Sequence, residues 1–144
     1  MIAILLYILL VSMLHAQTEI MIEDKSGWAR SLPCWRVNVF ATKVLLGKEL
    51  SGYHCYMLLL FATLFHSPFL FIPWSWFMEA RVWGLFLVYW VLEDFFWFCF
   101  NKHYRIMAFR KGKISWHIRW FLGLPVSYWI SLISAGVLLL LGRH

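Results

Sequence analysis

Long runs of apolar residues, separated by shorter polar stretches, organise this chain from one end to the other. A helix needs about 20 mainly apolar residues to cross the hydrocarbon core of a bilayer. Four stretches have this character, and they cover residues 1–22, 53–72, 76–100 and 118–141. Backbone polar groups in lipid must be satisfied within their own segment. We therefore expect each stretch to be a membrane-spanning helix.

The connections between these stretches differ in length and pattern. The first is long, and residues 37–50 within it mix apolar and polar positions at helical spacing. This pattern predicts a short helix that lies in the membrane interface and leads into the second span. The second connection, residues 67–75, is short and contains Pro68 and Pro73. The prediction is a single domain, residues 1–144, folded as an all-α integral membrane four-helix bundle.

Composition agrees with a membrane protein. The chain has 144 residues, of which 62% are hydrophobic and 14% charged, whereas an ordinary soluble domain is about 25% charged. A chain this short cannot bury so much apolar surface in one core. Its three cysteines are odd in number and form no Cys-x-x-Cys pair, which indicates thiols rather than a disulfide scaffold. A soluble globular domain, a disordered tail and a disulfide scaffold are excluded.

Positive charge is concentrated on one side of the predicted membrane. Eleven of the 13 Lys and Arg residues lie in the first and third connections or just inside the last span, and the others are Arg81 and Arg143. The positive-inside rule assigns that side to the cytoplasm and both termini to the outside. Topology thus accounts for the net charge of +6. No nucleic-acid-binding signature accompanies the charge, so we predict no nucleic-acid partner.

Residues 1–16 allow a second interpretation, as a cleaved signal peptide ending at Ala16. The apolar run has a suitable length for a signal peptide. It lacks a positively charged beginning, however, and Leu14 is a poor residue at the third position before a cleavage site. We therefore expect these residues to form the first span.

Ionisable residues recur at one depth in all four predicted spans. His15, Glu19 and Glu23 follow one another at i, i+4 and i+8, which places them on one face of a helix. His54 opens the second span, and His117 immediately precedes the fourth. Glu93 and Asp94 lie about two turns before the cytoplasmic end of the third span. Because ionisable residues in membranes usually face the bundle interior and mark sites, we predict a polar pocket in the cytoplasmic half.

The chemistry of this pocket suits a metal ion. Carboxylates and imidazoles without paired thiols favour zinc, iron or manganese. The predicted metal ligands are Glu23, His54, Glu93 and His117. Asp94 is predicted to orient a ligand or move a proton, and Asn101 to bond a carboxylate or a substrate. No Glu-x-x-His or His-Glu-x-x-His pair occurs, so the prediction rests on the combined residues rather than on a motif.

The sequence is compatible with three functions and leaves undecided whether the protein is an enzyme. The leading hypothesis is a metal-binding protein, in its sharper form a metalloenzyme acting on a lipid-phase substrate. The second is a component of a proton or ion pathway. The third is an accessory subunit of a larger membrane complex.

A tryptophan every seven residues along the third span (Trp76, Trp83, Trp90 and Trp97) suits packing against another span or a second subunit. The partners expected are the lipid bilayer and either identical copies or a larger complex.

Several short segments resemble a family of small uncharacterised prokaryotic four-helix membrane proteins. The segments of the second half are Glu93-Asp94-Phe-Phe-Trp97-Phe, Asn101, His103-Tyr104, Trp116-His117, Trp120, Leu124-Pro125 and Tyr128. Those of the first half are Ile22-Glu23-Asp24, Gly27-Trp28-Ala29, Leu32-Pro33, Trp35 and Gly52-Tyr53-His54. The resemblance covers about residues 15–130 and departs from the family pattern at Lys102, where the family has proline. It implies a prokaryotic inner or plasma membrane and groups the pocket residues, but it supplies no activity.

Overall fold

The computed structural model describes residues 2–38, 49–114 and 116–143. Over these residues the chain is mostly helical, which confirms the all-α prediction. The helices are α1 (Ile2–Glu23), α2 (Gly52–Phe65), α3 (Trp76–Phe100), α4 (Arg105–Ala108) and α5 (Val126–Leu141). A 3-10 turn, Ser67–Leu70, follows α2. The short strands are β1 (Arg36–Val37), β2 (Leu50–Ser51), β3 (Trp120–Phe121) and β4 (Leu124–Pro125).

Two of the described helices, α1 and α3, are long and apolar enough to cross a membrane. They contain 22 and 25 residues. Helices α2 and α5 are also apolar but contain only 14 and 16 residues. At 1.5 Å per residue they extend roughly 21 and 24 Å, less than the ~30 Å of a typical hydrocarbon core. The second and fourth apolar stretches are therefore shorter as helices than the sequence pattern predicts.

Proline accounts for the early end of α2. The helix starts at Gly52, where the Ser51 hydroxyl accepts a hydrogen bond from the His54 backbone N–H at 3.3 Å. It ends at Phe65, and Pro68 enters the 3-10 turn near its start. A proline ring clashes with the preceding turn and supplies no N–H, so the α-helical ladder does not continue through residues 66–72.

A hairpin replaces the predicted beginning of the fourth span. β3 pairs antiparallel with β4, with Phe121 opposite Leu124. Gly123 in the connecting turn has a φ of +81°, a conformation that glycine adopts without strain. Pro125 then stands immediately before α5, where its fixed φ suits a helix start. The prediction of helix from residue 118 is corrected to a start at Val126.

The predicted interfacial helix at 37–50 falls largely on residues 39–48, which lie outside the described residues. Its two flanks are described, and they come together. β1 pairs antiparallel with β2, so that Arg36 lies opposite Ser51 and Val37 opposite Leu50. This pairing closes the long first connection at the beginning of α2.

Helix α3 lies at the centre of the fold, with α1 and α5 packed along it. Aromatic rings join α2 to α3: the centroid of Phe61 lies 5.1 Å from that of Tyr89. On the α5 side, Gly84 and Ala135 allow close approach, because a Cβ on Gly84 would lie 3.2 Å from the Ala135 carbonyl oxygen. Small residues at helix interfaces are typical of packing in membranes. The arrangement directs Glu93 and Asp94 of α3 toward the space between the helices.

Close packing at Gly84 predicts a marked effect of one added methyl group. In Gly84→Ala the new Cβ would lie 2.8 Å from Leu139 Cγ, whereas at Gly136 on α5 nothing lies within 4 Å. Overpacking typically costs about 1–3 kcal/mol, so we expect Gly84→Ala to be less stable than Gly136→Ala by that amount. Denaturant unfolding of both variants in the same detergent measures the difference. Equal stability would contradict the close α3–α5 contact.

Candidate metal centre

The polar stripe of α1 faces the interior of the fold. His15, Glu19 and Glu23 are 5%, 6% and 3% exposed, although the helix around them is largely exposed and apolar. A helix places every fourth residue on the same face, and this face meets α2 and α3. The stripe thus forms one wall of a polar cluster.

Glu19, Glu23 and His54 form the tightest group of metal-ligating side chains among the described residues. One oxygen or nitrogen from each lies within 4.8 Å of those of the other two. His54 Nε2 lies 3.7 Å from Glu23 Oε1. The other ring nitrogen, Nδ1, is 2.7 Å from the hydroxyl of Ser51, the residue that caps α2. The capping residue therefore also orients the imidazole, with Nε2 toward the carboxylate.

The loop after α1 covers this group. Glu23 Oε1 accepts a hydrogen bond from the Ala29 backbone N–H. The Trp28 ring stacks on His54 at a centroid distance of 3.8 Å, and its N–H donates to the Glu49 carbonyl oxygen at 2.9 Å. Both Trp28 and Ala29 have positive φ values, near +50°. These sparsely populated backbone conformations place Trp28 and Ala29 over Glu23 and His54.

His15 and Glu93 continue the cluster deeper into the fold. His15 Nε2 lies 3.7 Å from Glu19 Oε1, and His15 Nδ1 lies 2.7 Å from the Tyr89 hydroxyl. Glu93 is 3% exposed, and its carboxyl group shares a hydrogen bond with Glu19. Within the described chain, His15 Nε2 and Glu93 Oε1 are buried without a hydrogen-bond partner.

Asp94 belongs to a neighbouring group on the other side of α3. Its Oδ2 accepts hydrogen bonds from His117 Nε2 at 2.8 Å and from the Tyr128 hydroxyl at 2.5 Å. Adjacent residues of a helix point about 100° apart, so Glu93 and Asp94 serve different clusters. This group ties α3 to the segment before α5 and to α5 itself.

A cavity of about 180 Å³ joins the two groups. It lies between α2 and α5, with α3 as its third wall. Its polar lining includes the residues Glu19, His54, Glu93, Asp94, His117, Ser127, Tyr128 and Ser131. Leu58, Trp90 and Val91 contribute apolar surface. Among the described residues that line this space, none is a Lys or an Arg.

Asn101 lies apart from this cavity and is fully buried. Its side-chain N–H donates to the Asp24 carbonyl oxygen at 2.7 Å, and its side-chain oxygen accepts from the His103 backbone N–H at 2.9 Å. His103 Nε2 in turn lies 2.9 Å from Asp24 Oδ1, and this hydrogen bond lowers the pKa of the Asp24 carboxyl. Asn101 thus joins the ends of α1 and α3, and its predicted contact with a substrate stays a prediction.

The predicted metal ligands divide between the two groups. Glu23 and His54 are in contact with each other. Glu93 contacts Glu19, which in turn belongs to the group with Glu23 and His54. His117 lies with Asp94, and its role as a ligand stays a prediction. The sequence pattern places Glu19 on the α1 stripe but does not predict it as a ligand, although its spacing from Glu23 is compatible with that role. Tyr89, which orients His15, has no sequence signal that separates it from other aromatic residues. Tyr128, which orients Asp94, belongs to the segments that carry the family resemblance.

The opposite end of the fold holds a separate polar contact. Glu79 accepts hydrogen bonds from the ring nitrogens of His66 at 3.0 Å, Trp74 at 2.9 Å and Trp83 at 2.7 Å. These bonds tie the turn after α2 to the first part of α3. They lie far along α3 from Glu93 and contribute nothing to the cavity.

Comparison with known proteins identified no relative of this chain. No protein-family model, no curated protein and no solved structure matches the chain.

Proposed function

We propose that this chain is a polytopic membrane protein with four membrane-spanning segments that binds a divalent metal ion in the cytoplasmic half of the bundle. Support for the membrane location comes from α1 and α3, which have the length and apolarity of spanning helices. Helices α2 and α5 are apolar too, and bilayer thinning accommodates short helices. The lysines and arginines concentrated in two connections favour cytoplasmic loops at the end that bears Glu23 and His54.

The observation that carries the metal assignment is the Glu19–Glu23–His54 group. All three side chains are buried, and their ligand atoms lie within 4.8 Å of one another. Ligands held about 2.1 Å from one ion are themselves about 3–4 Å apart, a range that includes the 3.7 Å between His54 Nε2 and Glu23 Oε1. Ligating histidines characteristically hold a second polar group on the other nitrogen, as His54 does with Ser51.

Electrostatics supports the same assignment. Burying a carboxylate costs much free energy unless a cation or hydrogen bonds compensate. The cluster brings together Glu19, Glu23 and Glu93, with His15 and His54 within 4.0 Å of their carboxyl groups. A divalent ion would add positive charge beside these three carboxyl groups. Carboxylate and imidazole ligands suit zinc, iron or manganese.

The adjoining cavity favours an enzyme over a purely structural metal site. It opens between α2 and α5, whose exposed apolar faces would meet lipid, so a substrate could enter from the bilayer. Its walls combine apolar side chains with Ser127 and Ser131, which suits an amphipathic molecule. Asp94 would then move a proton at the cavity wall. This metalloenzyme is the sharper form of the proposal.

A proton pathway is the second candidate, because polar contacts run from Ser51 through His54 and the three glutamates to His15 and Tyr89. The polar run stops at Ser12, whose hydroxyl donates to the Ile8 carbonyl oxygen at 2.7 Å. Beyond it the buried residues Ile8 and Phe86 form an apolar cluster. A continuous pathway would require a polar route through that cluster. Proton flux in proteoliposomes that Glu93→Gln abolishes would favour this candidate.

Metal content tests the proposal directly. We expect wild-type protein, purified in mild detergent and exposed to Zn²⁺, Mn²⁺ or Fe²⁺, to retain at least one ion per chain by elemental mass spectrometry. His54→Ala should lose it, because it removes a ligand. The matched control is His66→Ala, which removes a histidine from the Glu79 contact at the other end and should keep the ion. Wild type that retains no ion would contradict metal binding.

A further inference from the structure

We propose that the cluster binds two metal ions, with Glu19 as a carboxylate bridge between them. This inference rests on the proposed metal site and extends it. The first ion would have Glu23, His54 and one oxygen of Glu19 as ligands. The second would have His15, Glu93 and the other oxygen of Glu19. Each ion would therefore have one imidazole and two carboxylates as protein ligands.

The two histidines have matching environments, which is the first argument for a second ion. Nε2 of His54 and Nε2 of His15 each lie 3.7 Å from a glutamate Oε1, that of Glu23 and that of Glu19 respectively. Their Nδ1 atoms are each 2.7 Å from a hydroxyl group, that of Ser51 for His54 and that of Tyr89 for His15. When a hydroxyl accepts the Nδ1 proton, Nε2 carries the lone pair that a metal requires. The environment that makes His54 a ligand is thus repeated at His15.

Two buried atoms without partners provide the second argument. His15 Nε2 and Glu93 Oε1 make no hydrogen bond to any part of the described chain, although His15 is 5% exposed and Glu93 is 3% exposed. Most buried polar atoms in proteins are hydrogen-bonded, and each exception needs an explanation. Both atoms belong to side chains that contact Glu19. The imidazole of His15 and the carboxyl group of Glu93 also approach each other, with Nδ1 4.0 Å from Oε1. A cation bound by Glu19, His15 Nε2 and Glu93 would give both unpartnered atoms a partner.

Glu19 has the position that a bridge needs. It belongs to the group with Glu23 and His54, it lies 3.7 Å from His15 Nε2, and it shares a hydrogen bond with Glu93. A carboxylate has two oxygens and can bind a different ion with each. In the metal-loaded protein, the second ion would lie between Glu19 and Glu93 in place of their direct contact.

The stoichiometry of manganese tests the proposal. Metal-free protein in mild detergent is loaded with Mn²⁺, passed through a desalting column and analysed by elemental mass spectrometry and electron paramagnetic resonance. We expect two Mn²⁺ per chain and the spectrum of a magnetically coupled pair. His15→Ala should hold one Mn²⁺ with the spectrum of an isolated ion. Glu93→Gln removes a different ligand of the second ion and should also hold one isolated Mn²⁺. Agreement between the two variants would show that the loss of the ion is not caused by misfolding of one of them.

The control and the contrary outcomes separate this inference from the function on which it rests. His103→Ala removes an exposed histidine that contacts Asp24, and it should keep two coupled ions. One isolated Mn²⁺ in the wild type, unchanged in His15→Ala, would overturn the second site and leave the first intact. Wild type that binds no Mn²⁺, Zn²⁺ or Fe²⁺ would overturn both.

Discussion

Glu23→Gln should stabilise the protein without metal and destabilise it relative to wild type when metal is present. In the metal-free state, the buried carboxyl group costs free energy whether it stays ionised away from water or takes up a proton. The amide retains an oxygen that can accept the Ala29 N–H but carries no charge. We expect a gain of about 1–3 kcal/mol, the order of the desolvation cost of a buried polar group.

Added metal should reverse the order of stability of wild type and Glu23→Gln. An ion that binds only the folded state adds about 4 kcal/mol when its free concentration is 1,000 times the dissociation constant. For a chain of this size that corresponds to roughly 8–16 °C in melting temperature. Glu23→Gln should lose most of this gain, because an amide is a weaker ligand than a carboxylate. The measurement is a thermal unfolding scan of both proteins with excess Mn²⁺ and with a chelator.

Glu79→Gln provides the matched control for that experiment. Glu79 is a carboxylate of α3 at the opposite end, and it accepts hydrogen bonds from three ring nitrogens. Its replacement should lower stability equally with and without metal, so the gain from Mn²⁺ should equal that of wild type. A structural role for Glu23 would give the same pattern as Glu79. The reversal of sign is therefore specific to a metal ligand.

The sequence predicted where the helices and polar residues lie along the chain better than it predicted which way the residues face. The apolar runs located α1 and α3 almost to the residue, because neither helix contains a proline that would end it early. Spacing placed Glu23, His54 and Glu93 at one depth, since the rise of a helix is constant. Helices apolar on nearly every side do not reveal their rotation. Helix geometry predicts that the adjacent residues Glu93 and Asp94 have different partners, but it does not predict which partners these are.

Local backbone chemistry explains where the pattern was wrong about helix length. Residues 118–125 are apolar enough to continue a span, yet Gly123 and Pro125 favour a hairpin and a helix start. Gly123 and Pro125 are visible in the sequence, but a prediction based on hydrophobicity alone does not take them into account. The roles of Tyr89 and Tyr128 are a different case. A buried tyrosine becomes an orienting group only through its partner, and those partners, His15 and Asp94, are distant in the sequence.

Asp94→Ala should be among the most destabilising single changes in the chain while leaving metal content unaltered. Asp94 Oδ2 accepts hydrogen bonds from both His117 and Tyr128, and those two side chains are buried. Truncation leaves both donors unsatisfied, and each such group costs about 1–3 kcal/mol. Tyr128→Phe removes only one of the bonds and should cost about 1 kcal/mol. Denaturant unfolding measures the free energy of unfolding of metal-free wild type, Asp94→Ala and Tyr128→Phe.

Metal analysis of the same variants decides what His117 does. If Asp94 and His117 form a pair separate from the metal cluster, both Asp94→Ala and His117→Ala should keep as many ions as wild type. A ligating histidine often donates its second N–H to a carboxylate, and the His117–Asp94 contact also fits that arrangement. Loss of an ion in His117→Ala, with a smaller loss of affinity in Asp94→Ala, would make His117 a ligand and Asp94 its orienting group. Retention in both would leave the pair lining the cavity, where a proton donor or acceptor can reach a bound molecule without competing for the metal.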